Sequence, residues 1–165
     1  MNRIFSIRPA SASDMGAVAT LFREYATSLG VDLTYQGFEA ELATLPGAYA
    51  PPAGALLLAL DSTGTPLGCV AIRPIREPGT CEMKRLHLHP AARGAGIGRA
   101  LAIAAIDAAR QADYRVMRLD TLPAMVAAQA LYGSLGFETT PTYYETPVAG
   151  TIFMRKMLAG AQPAI

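Results

Sequence analysis

The chain has 165 residues, 52% of them hydrophobic and 16% charged, which excludes intrinsic disorder and makes one domain the expectation, with two as the upper limit. A chain this long buries roughly two-thirds of its unfolded surface, so its core needs no disulfide framework, and Cys69 and Cys81 are expected as small buried thiols in a reducing cytoplasm. The formal net charge of +1 excludes nucleic-acid binding by bulk charge alone.

The opening MNRIFSIRP has no apolar h-region, so no secretory leader is expected. Residues 4–8 read as a short strand ended by Pro9. Ser11 or Ser13 can cap a helix in which Met15, Val18, Leu21, Phe22, Tyr25 and Leu29 recur at three- and four-residue spacing, closed by Gly30. Residues 38–45 form a weaker second helix, stopped by Pro46-Gly47, and residues 49–54, with Pro51-Pro52, form a loop. The period then changes. Residues 55–60 are a continuous apolar run and read as a buried strand; with Ala53 and Gly54 they form the longest apolar stretch, far short of the about 20 residues that span a bilayer. Turn chemistry at residues 61–66 and 77–80 separates strands at residues 67–74 and 81–89, so the middle of the chain is an antiparallel meander. Beyond Pro90, Ile97, Leu101, Ala104, Ala105 and Ala108 mark a helix face. A strand at residues 115–121, a helix at 125–135 closed by Gly136, and strands at 137–144 and 151–158 complete the pattern, with a frayed tail after Ala159. This order predicts a single α/β domain over residues 1–165, with a mixed sheet of six or seven strands and about four helices.

Charge is unevenly distributed. Residues 9–66 hold one basic residue, Arg23, against six acids; residues 84–118 hold seven basic residues against two acids. Such clusters are either solvated faces or, in the middle of the chain, an anion site. No Cys/His cluster has zinc spacing, so no metal is expected.

Arg93-Gly-Ala-Gly-Ile-Gly98 lies between a predicted strand and a predicted helix. A helix start presents unpaired N–H groups and a partial positive charge, and glycines let a ligand approach the backbone. With Arg93 and Arg99 alongside, the segment reads as a phosphate cradle. It is not a dinucleotide fingerprint, because the sixth position from Gly94 is Arg99, and it lacks the Gly-Lys-Ser/Thr ending of a Walker loop. It does fit Arg/Gln-x-x-Gly-x-Gly/Ala, and so resembles the coenzyme A loop of the GNAT superfamily of N-acetyltransferases. Cys81-Glu-Met-Lys-Arg-Leu-His-Leu-His-Pro90 resembles the strand before that loop, and Ala128-Gln-Ala-Leu-Tyr-Gly-Ser-Leu-Gly-Phe137 resembles the family's later Ala-x-x-Leu-Tyr-x-x-x-Gly-Phe. The match is specific from Glu82 to Phe137 and topological elsewhere.

The resemblance implies acetyl transfer from acetyl-CoA to a primary amine by direct attack in a ternary complex. An alkylammonium has a pKa of about 10.4, so at pH 7 only on the order of one molecule in 10³ to 10⁴ is nucleophilic and a base is needed. Glu82 is the expected base; its alternative is an ion pair with Lys84 or Arg85. Without a bulge, Glu82 shares a pleat face with Lys84, Leu86 and Leu88. Asp120 is the second candidate, or else a helix cap. The resemblance makes Tyr132 the acid for the leaving thiolate, the alternative being core packing. It assigns the coenzyme to Arg93, Gly94, Ala95, Gly96, Ile97, Gly98 and Arg99, and to backbone groups of His87 and Leu88 where the sheet splays open. Where relatives often carry Asn this chain has Met125, so Thr121 or backbone must hold the pantetheine arm. Tyr35, Glu39, Glu41, Tyr143 and Tyr144 are available to line the acceptor side, with Asp120, Tyr143 and Tyr144 as the substrate-binding candidates. The expected acceptor is a small-molecule amine, in the cytoplasm, with neither nucleic acid nor membrane as partner; the oligomeric state is open between monomer and homodimer. A protein N-terminus or lysine as acceptor, or a non-catalytic acyl-CoA-binding module, are the competing readings.

Overall fold

The computed structural model describes residues 4–158, so the expected frayed tail lies outside the described residues. The chain runs through β1 (Phe5–Pro9), α1 (Met15–Leu29), α2 (Phe38–Ala43), β2 (Ala55–Asp61), β3 (Pro66–Pro74), β4 (Thr80–Leu88), α3 (Ile97–Gln111), β5 (Val116–Thr121), α4 (Val126–Ser134), β6 (Glu138–Thr139) and β7 (Ile152–Met157). Short 3₁₀ turns at Ala12–Asp14 and Pro90–Ala92 lead into α1 and toward α3. The seven strands form one mixed sheet, as the sequence pattern predicts, and their order is β1-β2-β3-β4-β5-β7-β6.

Apolar residues divide between the two faces of the sheet. Leu57, Val70, Ile72, Met83, Met117 and Leu119 meet Ile97, Leu101 and Ile106 of α3 and Tyr132 of α4. On the other face Leu56, Leu58, Cys69 and Ala71 meet Val18, Leu21 and Phe22 of α1, Phe38 of α2 and Tyr49. Each fully buried large aliphatic or aromatic side chain contributes about 1.5–3 kcal/mol of transfer free energy. Ser11 and Asp14 set the entry to α1: the Asp14 carboxylate accepts from the Ser11 N–H at 2.7 Å and from Arg8 at 2.7 Å. Cys69 and Cys81 are both free and buried.

Strands β1 to β4 form the expected antiparallel meander, but its last pairing carries a bulge. Cys69 pairs with His87 and Ala71 with Lys84, so Val70 alone faces two residues, Arg85 and Leu86. Arg85 takes φ 61° to accommodate the extra residue. The bulge overturns the expected pleat face: Glu82 shares its side of the sheet with Lys84 and His87, which reach Gln36 and Glu24, whereas Leu86 and Leu88 pack on the α3 side. Close strand contact at this point requires glycine at position 68, where a Cβ would lie 2.6 Å from the His87 carbonyl oxygen.

The predicted strand at 137–144 shrinks to Glu138–Thr139. Thr140 still donates to the Phe153 carbonyl at 2.9 Å, but Pro141 has no N–H to continue the ladder. The chain beyond it instead folds Tyr143 and Tyr144 against Phe153, with ring centroids 5.2 Å away in each case.

Candidate active site

The parallel pairing of β4 with β5 covers only Thr80↔Val116, Cys81↔Met117 and Glu82↔Arg118. Beyond these pairs β4 continues to Leu88 and β5 to Thr121, and their facing edges are unpaired with each other. The sheet is therefore split on its midline. His87 and Leu88 belong to the part of β4 that runs on beyond its last pair with β5. The His87 side chain is turned elsewhere: it meets Glu24 of α1 at 3.1 Å and packs edge-on to Tyr25. Burial, opposed by Glu24, holds its pKa below the ordinary imidazole value, which keeps the ring neutral at pH 7.

At one mouth of the split stands the start of α3. Gly96 is its N-cap residue at φ 78°, Gly94 adopts φ 86°, and a Cβ on either would point into open space. The Ala100 N–H makes the first bond back to Gly96, at 3.1 Å. The N–H groups of Ile97, Gly98 and Arg99 thus precede the helical ladder and are available to an anion. Ile97 is fully buried, so only its backbone can serve. Arg93 and Gly94 are exposed and Ala95 packs partly on the core, whereas the Arg99 guanidinium donates to Ser134 Oγ at 2.8 Å and ties α3 to α4. A phosphate-bearing cofactor fits this cradle: the backbone is open, the helix dipole points at it, and no side chain blocks the glycines.

At the other mouth lies a cavity of about 570 Å³. Glu82 sits in its wall, 2% exposed, and both of its oxygens have partners. Oε1 accepts from Arg73 Nε at 2.9 Å and lies 4.0 Å from Lys84 Nζ; Oε2 accepts from the Tyr143 hydroxyl at 2.5 Å. Tyr144 donates to Asp120 Oδ2 at 2.5 Å, so Asp120 is not the cap of α4, whose N-cap is Met125. Burial first, then the neighbouring carboxylates, push both of these phenols above their ordinary range. Between the two mouths is a narrow space of about 20 Å³ lined by Tyr25, Lys84, Asp120, Met125 and Tyr132, with room for roughly one water. The Tyr132 phenol is raised by burial, with smaller contributions from Tyr25 and Asp120, and stays protonated well above neutral pH. Thr121 is buried and donates to Met125 Sδ at 3.7 Å.

The structure thus gathers Glu82, Asp120, Tyr132, Tyr143 and Tyr144 around one opening, with the glycine loop at its far end. Glu41 faces away from the cavity, because both of its oxygens accept from Arg85, at 2.9 and 3.0 Å; Glu39 does not line it. Sequence reasoning missed Arg73, Lys84 and Gln36. The available signal was Lys84 itself, a lysine inside a strand whose neighbours read as buried. Among the described residues no three or more His, Cys, Asp or Glu side chains gather as a metal site, and no helix is long and apolar enough to cross a membrane.

The sheet is thus split, with an open helix start on one side and a solvent-open cavity on the other. The chain belongs to the GNAT acetyltransferase family, whose model matches residues 18–137. An uncharacterised N-acetyltransferase of Schizosaccharomyces pombe is 42% identical over 142 residues, covering 86% of this chain and 87% of that protein. Among solved structures, a GNAT-family acetyltransferase of Staphylococcus aureus superposes with a TM-score of 0.78 at 16% identity, over 94% of this chain and 99% of that one. An N-acetyltransferase of Thermoplasma acidophilum, solved with coenzyme A, gives 0.73 at 19% identity over 93% and 99%. At these identities the two structures bear on the fold alone.

Proposed function

We propose that the protein moves an acetyl group from acetyl-CoA to the primary amine of a small molecule, by direct attack in a ternary complex. The observation that carries this reading is the split between β4 and β5, which joins the α3 cradle to a solvent-open cavity of about 570 Å³ with charged and phenolic side chains in its wall, sized for a small acceptor. The pyrophosphate of acetyl-CoA lies against the N–H groups at Gly94, Gly96 and Gly98. The pantetheine arm runs along the open edge of β4 at His87 and Leu88, past Thr121. The amine nitrogen bonds to the acetyl carbon as the C–S bond breaks, open backbone N–H groups stabilise the carbonyl oxygen, and Tyr132 protonates the departing sulfur.

The amine's proton goes to one of two carboxylates. Glu82 lies nearest the paired end of the split, but both of its oxygens are occupied. Asp120 has a single protein donor and faces the narrow space shared with Tyr132, which favours it as the acceptor, directly or through one water. The chain itself supplies base, acid and oxyanion donors, so the reaction needs no metal. The free buried thiols Cys69 and Cys81 support a reducing, cytoplasmic setting.

The cradle is tested by Gly96→Val with calorimetry. The new side chain projects over the helix start and must adopt φ 78°, so acetyl-CoA affinity should fall at least tenfold while circular dichroism stays native. Unchanged affinity would remove the phosphate site from α3. Turnover is followed by thiol release and by mass spectrometry of the acetylated amine.

A further inference from the structure

The charges lining the acceptor cavity do not suit a simple cation. Sequence reading puts acids and tyrosines there, but Glu41 is taken by Arg85, and Glu77 by Arg118 at 2.8 Å. Arg76 and Glu145 also line the cavity but are exposed to water, so its buried wall holds Glu82, Lys84 and the half-buried Arg73, one carboxylate against two cations. Arg73 takes the carboxylate at 2.9 Å. Lys84 is left with the neutral Gln36 Oε1 at 3.0 Å and with Glu82 no closer than 4.0 Å. Its side chain is only 4% exposed, yet it borders both the acceptor cavity and the narrow space at the split. An ammonium nitrogen has three donors, so at least one is unused by the protein. Arg85 lies next to it in the chain and Asp120 across the split; among the described residues Asp120 is the carboxylate that lines the narrow space, and Glu82 does not reach it.

A buried cation at the junction repels an entering alkylammonium. Two like charges brought together away from bulk water repel strongly. An acceptor with its own anion reverses the sign. We propose that the acceptor is an amino acid or a close analogue, carrying a carboxylate on the same short skeleton as its amine, and that Lys84 binds that carboxylate. The assignment rests on the acetyltransferase reading above. It also explains the position of Lys84. Anchoring the carboxylate at the mouth of the split leaves the amine one or two bonds further in, toward Asp120 and Tyr132. The same cation lowers the amine's own pKa and enlarges its nucleophilic fraction.

The test compares the common L-amino acids, each beside its primary amide and, where one exists, its decarboxylated amine, by kcat/KM with acetyl-CoA. The best carboxylate-bearing acceptor should exceed its uncharged partners by on the order of 10- to 100-fold, the range of one charge-assisted hydrogen bond. In Lys84→Met that ratio should collapse toward one. Gln36→Glu offers a second route if Lys84→Met folds poorly. A carboxylate 3.0 Å from Lys84 and 2.9 Å from Arg85 is well tolerated, and it should erase the same preference. A wild-type ratio near one, or equal losses for every acceptor in either variant, would overturn the proposal. So would acetyl-CoA binding by calorimetry with no member of the panel acetylated. Absence of acetyl-CoA binding would instead overturn the function on which it rests.

Discussion

Glu82 and Asp120 stand on neighbouring strands at the split, and their partners differ in kind. Glu82 is held by a guanidinium and a phenol; Asp120 is held by a phenol alone. Removing the Glu82 carboxylate strands the Arg73 guanidinium it binds, so Glu82→Gln should lower both turnover and melting temperature. Asp120→Asn leaves only a neutral hydroxyl to re-pair and should cost little stability. If Asp120 takes the proton, Asp120→Asn should lower kcat by on the order of 10²- to 10⁴-fold and flatten the acid limb of the pH–rate profile. A wild-type profile in Asp120→Asn, with the limb lost in Glu82→Gln, would return the role to Glu82. If Tyr132 protonates the departing sulfur, it sets the alkaline limb. Burial raises its pKa, so activity should hold beyond pH 10 and fall only above the ordinary phenol range. Tyr132→Phe should slow wild-type turnover, and by less with a thioester whose thiol is more acidic.

At the level of elements, the bulge in β4 organises one half of the site. It turns Arg85 toward α2, where the guanidinium bonds Glu41 twice, donates to Gln36 at 2.9 Å, and lies over the rings of Tyr25 and Phe38 at 5.6 and 5.2 Å. Its side chain is 1% exposed. Arg85→Met should cost about 3–5 kcal/mol by leaving Glu41 uncompensated, a fall in melting temperature on the order of 10 °C, and adding Glu41→Leu should recover most of it. Equal melts for the single and double variants would show that the pair does not hold the bulge. This contact also marks where the sequence stops being readable. The glycine loop is local: residues 93–98 carry their geometry in their own composition. So do the helix faces of α1 and α3 and the turn at Asp61. The bulge depends on Val70 of the partner strand, and the Arg85–Glu41 pair joins residues 44 apart. Neither leaves a trace in the spacing along β4, so the pleat expected of a bulge-free strand holds for Glu82 and Lys84 and fails at Leu86 and Leu88. Likewise Pro141 was visible, but its power to end β6 depended on β7 being the partner that needed its N–H.

For the whole molecule, the narrow link between β4 and β5 divides the sheet into two unequal parts. Strands β1 to β4 share an extensive antiparallel ladder, and β5 to β7 form another. The contacts across the gap include three residue pairs, the backbone bonds of Arg115 and Val116 to Gly79, the Tyr143–Glu82 and Arg99–Ser134 hydrogen bonds and the Arg118–Glu77 ion pair. A coenzyme seated from the start of α3 into the split touches both parts and supplies contacts the ladder lacks. Binding to the folded state alone should stabilise it by about 2.7 kcal/mol at a hundredfold excess over Kd, which is roughly 5–11 °C for a chain of this size. The location of the effect is more diagnostic than its size. Amide hydrogen exchange should slow on addition of coenzyme A in residues 83–88 and 97–99, where N–H groups lie on the open edge or ahead of the helical ladder. It should change least in β1 and β2, which pair with each other over the whole of β1 and lie far from the split. Desulfo-coenzyme A, which lacks the thiol but keeps the pyrophosphate, should give the same pattern. Protection confined to residues 97–99 would mean that the phosphate binds but the arm does not enter the sheet. Protection spread evenly over the chain would mean that the ligand stabilises the protein without using the split at all.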